Sequence, residues 1–434
     1  MKKLILYFIA VNAMTASSAM AYQKEDDADM FKERESEAYI PNGLRAGAFK
    51  ILPSMSQTNE YNSNIYMRDS NTKVYDSYVA HYKPGVSVHS DWSRHALNFN
   101  LLTDITQYAT VPDQNNYHDI WANIDGKLDL TRDSYFVNGF AFNNLHENRG
   151  SPDQINGVGP TFYSSKVIDN FFNQKFNRVA LKTGINSTRY DYDDVQSLSA
   201  PGATLRMSTR SHWELKPMIR LGYEIQPQYE AFAKFEYKVA NYDTDVLSNG
   251  NGIAYNRNSN GYNATTGMAF DLTDLVTGDV SVGYVQRNYD DVRLTEVSGV
   301  NGFLNLKYRP TTLTTLFARV GRDINETTQQ GVSGVFNTNA SLNLEHELLR
   351  NVLLKVGGNV GEMEYQGFDS SSTSNPSNQF NRNDAYYGGT AGAKYLLNRN
   401  LSTDLSYSYS TRDSNYINSN YILNQVMLNL RGQF

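Results

Sequence analysis

Cysteine is absent from this chain of 434 residues. That excludes a disulfide framework and thiolate-bound metal, and it is compatible with a route through an oxidising compartment. Long apolar runs are missing as well. Beyond the N-terminus no stretch approaches the roughly 18 uninterrupted apolar residues of a membrane-crossing helix, which excludes a helical membrane protein. Nor is there an excess of one charge: 39 Lys and Arg face 45 Asp and Glu, a formal net of −6. So mild a balance, with no basic patch interleaved with aromatics, gives no reason to propose a nucleic-acid partner. Catalytic motifs are lacking too. His81, His89, His95, His118, His146, His212 and His346 follow no metal-ligand spacing, and EHELLR around His346 lacks the second His of the H-E-x-x-H zinc motif. No G-x-S-x-G occurs and no Ser/His/Asp set can be assembled; NGNGIAYN, Asn249 to Asn256, lacks the Lys and the helix of a phosphate loop. Asp191, Asp193 and Asp194, like Asp290 and Asp291, read as solvated loop charge, with a divalent cation as the sharper alternative. The chain is therefore read as non-enzymatic and without a cofactor.

What is present is aromatic. There are 31 Tyr and 20 Phe in a chain only 40% apolar, with a mean hydropathy of −0.54. At the N-terminus, Lys2 and Lys3 precede an apolar run from Leu4 to about Ala16, and Ala19-Met20-Ala21 has the small-x-small form of a signal-peptidase site. Residues 1–21 are read as a secretory signal. A membrane anchor is the weaker alternative, because the run falls short of the ~20 residues of a spanning helix. Residues 22–44 are acidic without an apolar pattern and read as a leader or one short helix, too short for a plug domain.

From Arg45 onward the side chains alternate with period two. Leu97, Phe99, Leu101 and Ile105 oppose Asn98, Asn100 and Asp104, and Ala231, Ala233, Phe235, Tyr237 and Val239 oppose Lys234, Glu236 and Lys238. At the end of the chain Ile422, Val426, Leu428, Leu430 and Phe434 share one phase, and Gln425, Asn429, Arg431 and Gln433 the other. Such alternation predicts strands wet on one face, about 18 of them, from roughly 46–60 to roughly 419–434. Links after even strands are short (SDWSR, FNR, QPQ, RPTT, LLRN, LNRN), and many after odd strands are long and polar (RGSPDQINGVGPT, DVQSLSAPGAT, FDSSSTSNPSNQFNRN). Several rising strands end alike, in TRYDYDD, VQRNYDD, VGRDINE and STRDSN.

Strand length decides what the oily face meets. Sandwich strands usually hold about five or six residues. These run to about 13 to 16, and roughly ten tilted residues cross a hydrocarbon layer. The oily face therefore meets lipid. An open sheet edge there would leave backbone groups without partners, so the last strand must pair with the first. The expected fold is all-β: a closed antiparallel transmembrane barrel over residues 45–434, with short periplasmic turns and longer extracellular loops. Tyr61, Tyr66, Tyr75, Tyr190, Tyr192, Tyr289 and Tyr416 are assigned to an interfacial girdle, with ordinary cross-strand packing as the alternative.

Arg45–Tyr66 (RAGAFKILPSMSQTNEYNSNIY), Tyr82–Val88 (YKPGVSV), Glu147–Asp153 (ENRGSPD) and Pro160–Tyr163 (PTFY) resemble the putative β-barrel porin 2 family, and the remainder of residues 44–434 is similar to it in rhythm. The resemblance implies a barrel of the Gram-negative outer membrane, in some members associated with exopolysaccharide or capsule export, and it brings no catalytic residue. Phe434, in phase with Leu430 and Leu428, resembles the C-terminal signal by which the barrel assembly machinery recognises such proteins. The implied partners are outer-membrane lipid and lipopolysaccharide, that machinery and, through the export link, polysaccharide. Nothing in the sequence marks a subunit contact.

A closed sheet of about 18 strands leaves a water-filled lumen. In the register read from the sequence, its charges are Asp104, Asp125, Lys127, Asp129, Lys182, Arg220, Lys234, Glu236, Lys238, Lys307, Arg319, Asp323, Lys355, Lys394, Asp404, Arg412 and Arg431. Signs are mixed, with a basic lean in the C-terminal half. Rings of Arg or Lys favour anions, acidic sugars included; cross-strand pairing that merely fills the wall is an equal alternative. Three functions follow: a porin-like passive channel for hydrophilic solutes, an accessory of polysaccharide export (from the resemblance alone), and an occluded structural or surface-interaction barrel. Inward folding of the loops at 243–258 and 366–383 would narrow the pore.

Overall fold

The computed structural model describes residues 39–434 apart from 148, 152, 154–156, 199, 201, 251, 273–274, 368–381 and the side chain of Asn249. The signal and most of the acidic leader lie outside the described residues. The alternation closes into a ring of 18 antiparallel strands, each 12 to 16 residues long. In chain order they are β1 Phe49–Asn62, β2 Ser77–Ser90, β3 Ala96–Tyr108, β4 Tyr117–Asp129, β5 Ser134–His146 and β6 Phe162–Phe176. There follow β7 Val179–Tyr192, β8 His212–Gln226, β9 Tyr229–Tyr242, β10 Ser259–Leu272, β11 Val276–Tyr289 and β12 Val297–Thr311. The last six are β13 Thr314–Asn325, β14 Gly334–Leu349, β15 Val352–Gln366, β16 Asn383–Leu396, β17 Leu401–Ser414 and β18 Tyr421–Gln433.

Each strand pairs with the next, and β18 returns to β1 from Ser54↔Gln433 to Asn62↔Gln425. Closure satisfies the edge that an open sheet would expose. Below the reach of β18, the short strand Leu44–Ala46 folds back onto Phe49–Ile51. Links after even strands are tight, as at residues 177–178 and 350–351, and those after odd strands are mostly longer. Two of the long ones carry small ladders of their own, Val195–Gln196 with Thr204–Leu205 and Val246–Leu247 with Ala254–Tyr255. No helix among the described residues is long and apolar enough to cross a membrane; the crossing is made by strands.

Burial is inverted relative to a water-soluble protein. Val282, Leu405 and Leu428 on the outer face are 56%, 55% and 50% exposed, whereas Asn186, Asn301 and Asn305 on the inner face are 2%, 1% and 1% exposed. Apolar side chains turned outward over the height of the wall are stable only against an apolar solvent. One expectation about the aromatics is corrected here. Tyr61 stays outside, its ring 5.4 Å from that of Tyr78, but Tyr190, Tyr192 and Tyr289 fall in the inward phase. Tyr190 faces His212 across the ladder, and His212 faces Tyr242. The three rings stack at 4.9 and 4.4 Å. A strand-end position does not say which face a ring takes; the register does.

Candidate functional site

The inner wall carries its polar groups in cross-strand pairs. Asn98 donates to Asp125 at 2.8 Å, Asn186 to Asp169 at 2.6 Å, Asn305 to Asp279 at 3.1 Å and Asn429 to Asp404 at 3.0 Å. An amide satisfies the hydrogen-bonding capacity of a carboxylate without cancelling its charge. Other charges are matched directly. Arg220 meets Glu230 at 2.6 Å, Lys234 meets Glu236 at 3.3 Å, Lys238 meets Glu214 at 2.6 Å, Lys127 meets Asp129 at 3.3 Å and Lys355 meets Glu345 at 3.9 Å. Lys182 and Lys307 lie over the rings of Phe171 and Phe317, at 5.2 and 5.6 Å. Arg319 donates to Asn305 at 3.0 Å, and Lys394 faces Asp404 across the ladder. Arg431 stands between Ser56 and Ser402. The residues named from the sequence thus share the inward face but not one place, running from Lys127 and Asp129 near the short turns to Asp323 and Arg412 near the long loops.

Two clusters on this face are not visible in any single strand's pattern. His81 lies 3.4 Å from Glu60 and 3.2 Å from Asp104, which also takes Lys83 at 3.0 Å and Thr106 at 2.9 Å. Glu214, 2% exposed, sits among Lys216 at 2.7 Å, Lys238 at 2.6 Å and His212 at 3.7 Å. Alternation marks each residue as inward. That β1, β2 and β3, or β8 and β9, bring them together is a matter of register. Asp191 and Asp291, considered above as cation ligands, hold arginines instead: Asp191 meets Arg189 at 2.6 Å and Asp291 meets Arg293 at 2.7 Å.

The long loops close over this wall. In the loop after β5, Glu147 takes both guanidinium nitrogens of Arg210, at 2.7 and 2.9 Å. Burial alone would lower the Arg210 pKa, but the Glu147 carboxylate outweighs it and holds it well above the ordinary value. Arg149 donates to Asn115 at 3.0 Å and Gln114 at 3.2 Å, while Arg412 of β17 donates to the Gly150 carbonyl at 2.5 Å. Asp153, in the same loop, accepts from the Thr328 backbone at 2.8 Å and from the hydroxyls of Thr327 and Thr328 at 2.9 and 3.0 Å. Thr327 and Thr328 belong to the turn after β13, nearly opposite on the ring, so the bond spans the mouth. Behind that turn, Ser248 donates to the Thr328 carbonyl at 3.0 Å and Arg257 to the Val332 carbonyl at 2.9 Å.

The turn after β13 is folded inward. Thr327, Thr328, Val332 and Ser333 are 4%, 6%, 3% and 0% exposed. Glu326 pairs with Arg287 of β11 and lies 3.7 Å from Lys238 of β9. Among the loops expected to narrow the pore, 243–258 contributes through Ser248 and Arg257, and most of 366–383 lies outside the described residues. The crossing itself is made by the loops after β5 and β13, which were not singled out. One signal pointed there: ENRGSPD, noticed for its family resemblance, contains Glu147, Arg149, Gly150 and Asp153.

Comparison with solved structures finds other outer-membrane proteins. The outer membrane protein opdK of Pseudomonas aeruginosa is 9% identical over 89% of this chain and 99% of its own, with a TM-score of 0.43. The siderophore receptor PiuA of Acinetobacter baumannii is 11% identical over 91% of this chain and 82% of its own, with a TM-score of 0.48. The FrpB iron transporter of Neisseria meningitidis is 12% identical over 90% of this chain and 77% of its own, with a TM-score of 0.48. These likenesses say nothing of what this chain carries. No curated protein matches it. Residues 37–434 match the family described as Putative beta-barrel porin 2. The chain belongs to that family, an outer-membrane β-barrel whose inner wall is polar and whose outer mouth is crossed by its own loops.

Proposed function

We propose that the protein is a passive, non-enzymatic channel for small hydrophilic solutes, narrowed at the extracellular mouth. The observation that carries this reading is the inner wall, polar and charged along its length and half-exposed at many positions. A ring of this strand number leaves an aqueous lumen, and wall charges tune which solutes pass. Mixed signs, with acids held by asparagines as well as by cations, favour polar solutes over one ion class. The bridge between Asp153 and the turn after β13 favours a second reading, an occluded barrel. The export accessory rests on family resemblance alone. Planar-bilayer recording on purified, folded protein separates the first two: discrete ion-current steps are expected, and their absence in protein that shows heat-modifiable gel mobility would leave the occluded barrel standing.

A further inference from the structure

We propose that the turn from Glu326 to Ser333 is a strap that gates the extracellular mouth, hinged on the backbone at Ser333 and latched at its free end by side chains. The inference rests on the channel reading. β12 begins at Val297, but its ladder with β13 starts only at Gly302↔Arg322, so the upper part of that hairpin touches β12 through side chains and not through ladder bonds. On its other side it remains in the ladder with β15 up to Gly334↔Gln366. A tip fastened along one edge can swing.

Its position is inside the wall. Ile324 and Phe336, in the outward phase of their strands, pack against the inward-facing Val285 and Val297. The Phe336 ring fills the space left by Gly299, where a Cβ would come within 2.8 Å. The sheet therefore steps inward at the β12–β13 seam. At its β14 end the tip is also anchored by Val332, packed with Val335 and Tyr365, and by the Ser333 backbone on the Gln366 and Gly367 carbonyls. The stretch from Glu326 to Thr328 is held by exchangeable polar bonds, Glu326 to Arg287 and Lys238 and Asp153 to Thr327 and Thr328, with Arg257 on the Val332 carbonyl. Burial would raise the Glu326 pKa, but Arg287 and Lys238 pull it below the ordinary value. Ladder bonds along a strand break together; these can be exchanged with water one at a time.

The absence of native cysteine makes the test clean. A D153C/T328C pair is placed where the Asp153 carboxylate now bonds the Thr328 backbone, and single-channel currents are recorded with folding checked by heat-modifiable mobility. Oxidation is expected to abolish opening transitions, and reductant to restore them. E326Q is expected to raise open probability on the order of tenfold, the scale of a lost charge-assisted bond, and deletion of 328–332 to give a larger, steady conductance. If the deletion variant conducts while the oxidised pair and E326Q behave like the parent, the strap is not a gate and the channel stands. If the folded deletion variant passes no current, the channel reading itself is lost.

Discussion

The two ends of this barrel are joined in different ways. At the periplasmic end the chain reverses in a few residues, and backbone bonds along adjacent strands do most of the joining; side-chain ties there, such as Lys175 to Glu224 and Arg399 to Asn42, are exposed. At the extracellular end residues far apart in sequence are tied by side chains: Asp153 to Thr328 across 175 positions and Arg412 to Gly150 across 262. The wall resists local damage because each strand is held by two neighbours. The mouth depends on individual charges, and a buried charge that loses its partner is costly.

The largest effect is expected at the mouth. Arg210→Ala takes from the largely covered Glu147 the cation it is paired with and should cost about 3 kcal/mol, the low end for a broken buried pair, read as a lower urea midpoint; Arg210→Met with Glu147→Gln should recover most of it. A single variant as stable as the parent would mean that the mouth is as redundant as the wall. Next comes the outer face. Val282→Arg places a charge at mid-wall against lipid, with an expected cost of about 2 to 4 kcal/mol in vesicle-refolding titrations. Ser281→Arg, one residue away but lumen-facing, should cost clearly less. Equal penalties would contradict the assignment of faces.

The smallest effect concerns acid. Asp291 accepts from Arg293 at 2.7 to 3.0 Å and from the Asn256 backbone at 3.0 Å. The Arg293 hydrogen bond, acting against burial, draws its pKa down to about 2. A depressed carboxyl contributes stability that is present above its unfolded pKa near ~4 and is lost as pH falls through the folded value. Slow amide exchange at Arg293 should therefore persist at pH 3 and disappear near pH 2. Loss already at pH 4 would show that this loop contact is no firmer than exposed charge.

Much of the wall was legible residue by residue. The phase of Leu97, Ile124, Phe235 and Leu428 named the outer face, and short links at LLRN and LNRN named the periplasmic end, because side-chain direction in a strand has period two and needs no knowledge of neighbours. The inward phase of Asp125, Lys234 and Arg319 was legible for the same reason. Their partners were not: Asn98, Glu236 and Asn305 are chosen by register and side-chain reach. Tyr190 and Tyr289 were misplaced because an aromatic near a strand end fits both an interfacial girdle and an inner stack. The crossing loops were missed because length drew attention to 366–383, whereas the short turn Glu326–Ser333 reaches the lumen by an inward step of its whole hairpin.

What the sequence by itself determined is the set of strands, their two faces, their number and the closure of the ring, all consequences of local alternation and of a backbone that must be satisfied in lipid. Only the tertiary structure decided which charges meet and which loops cross the mouth. The contacts that cross the mouth join positions as far apart as 175 residues for Asp153 and Thr328 and 262 for Arg412 and Gly150, and no periodic pattern records them.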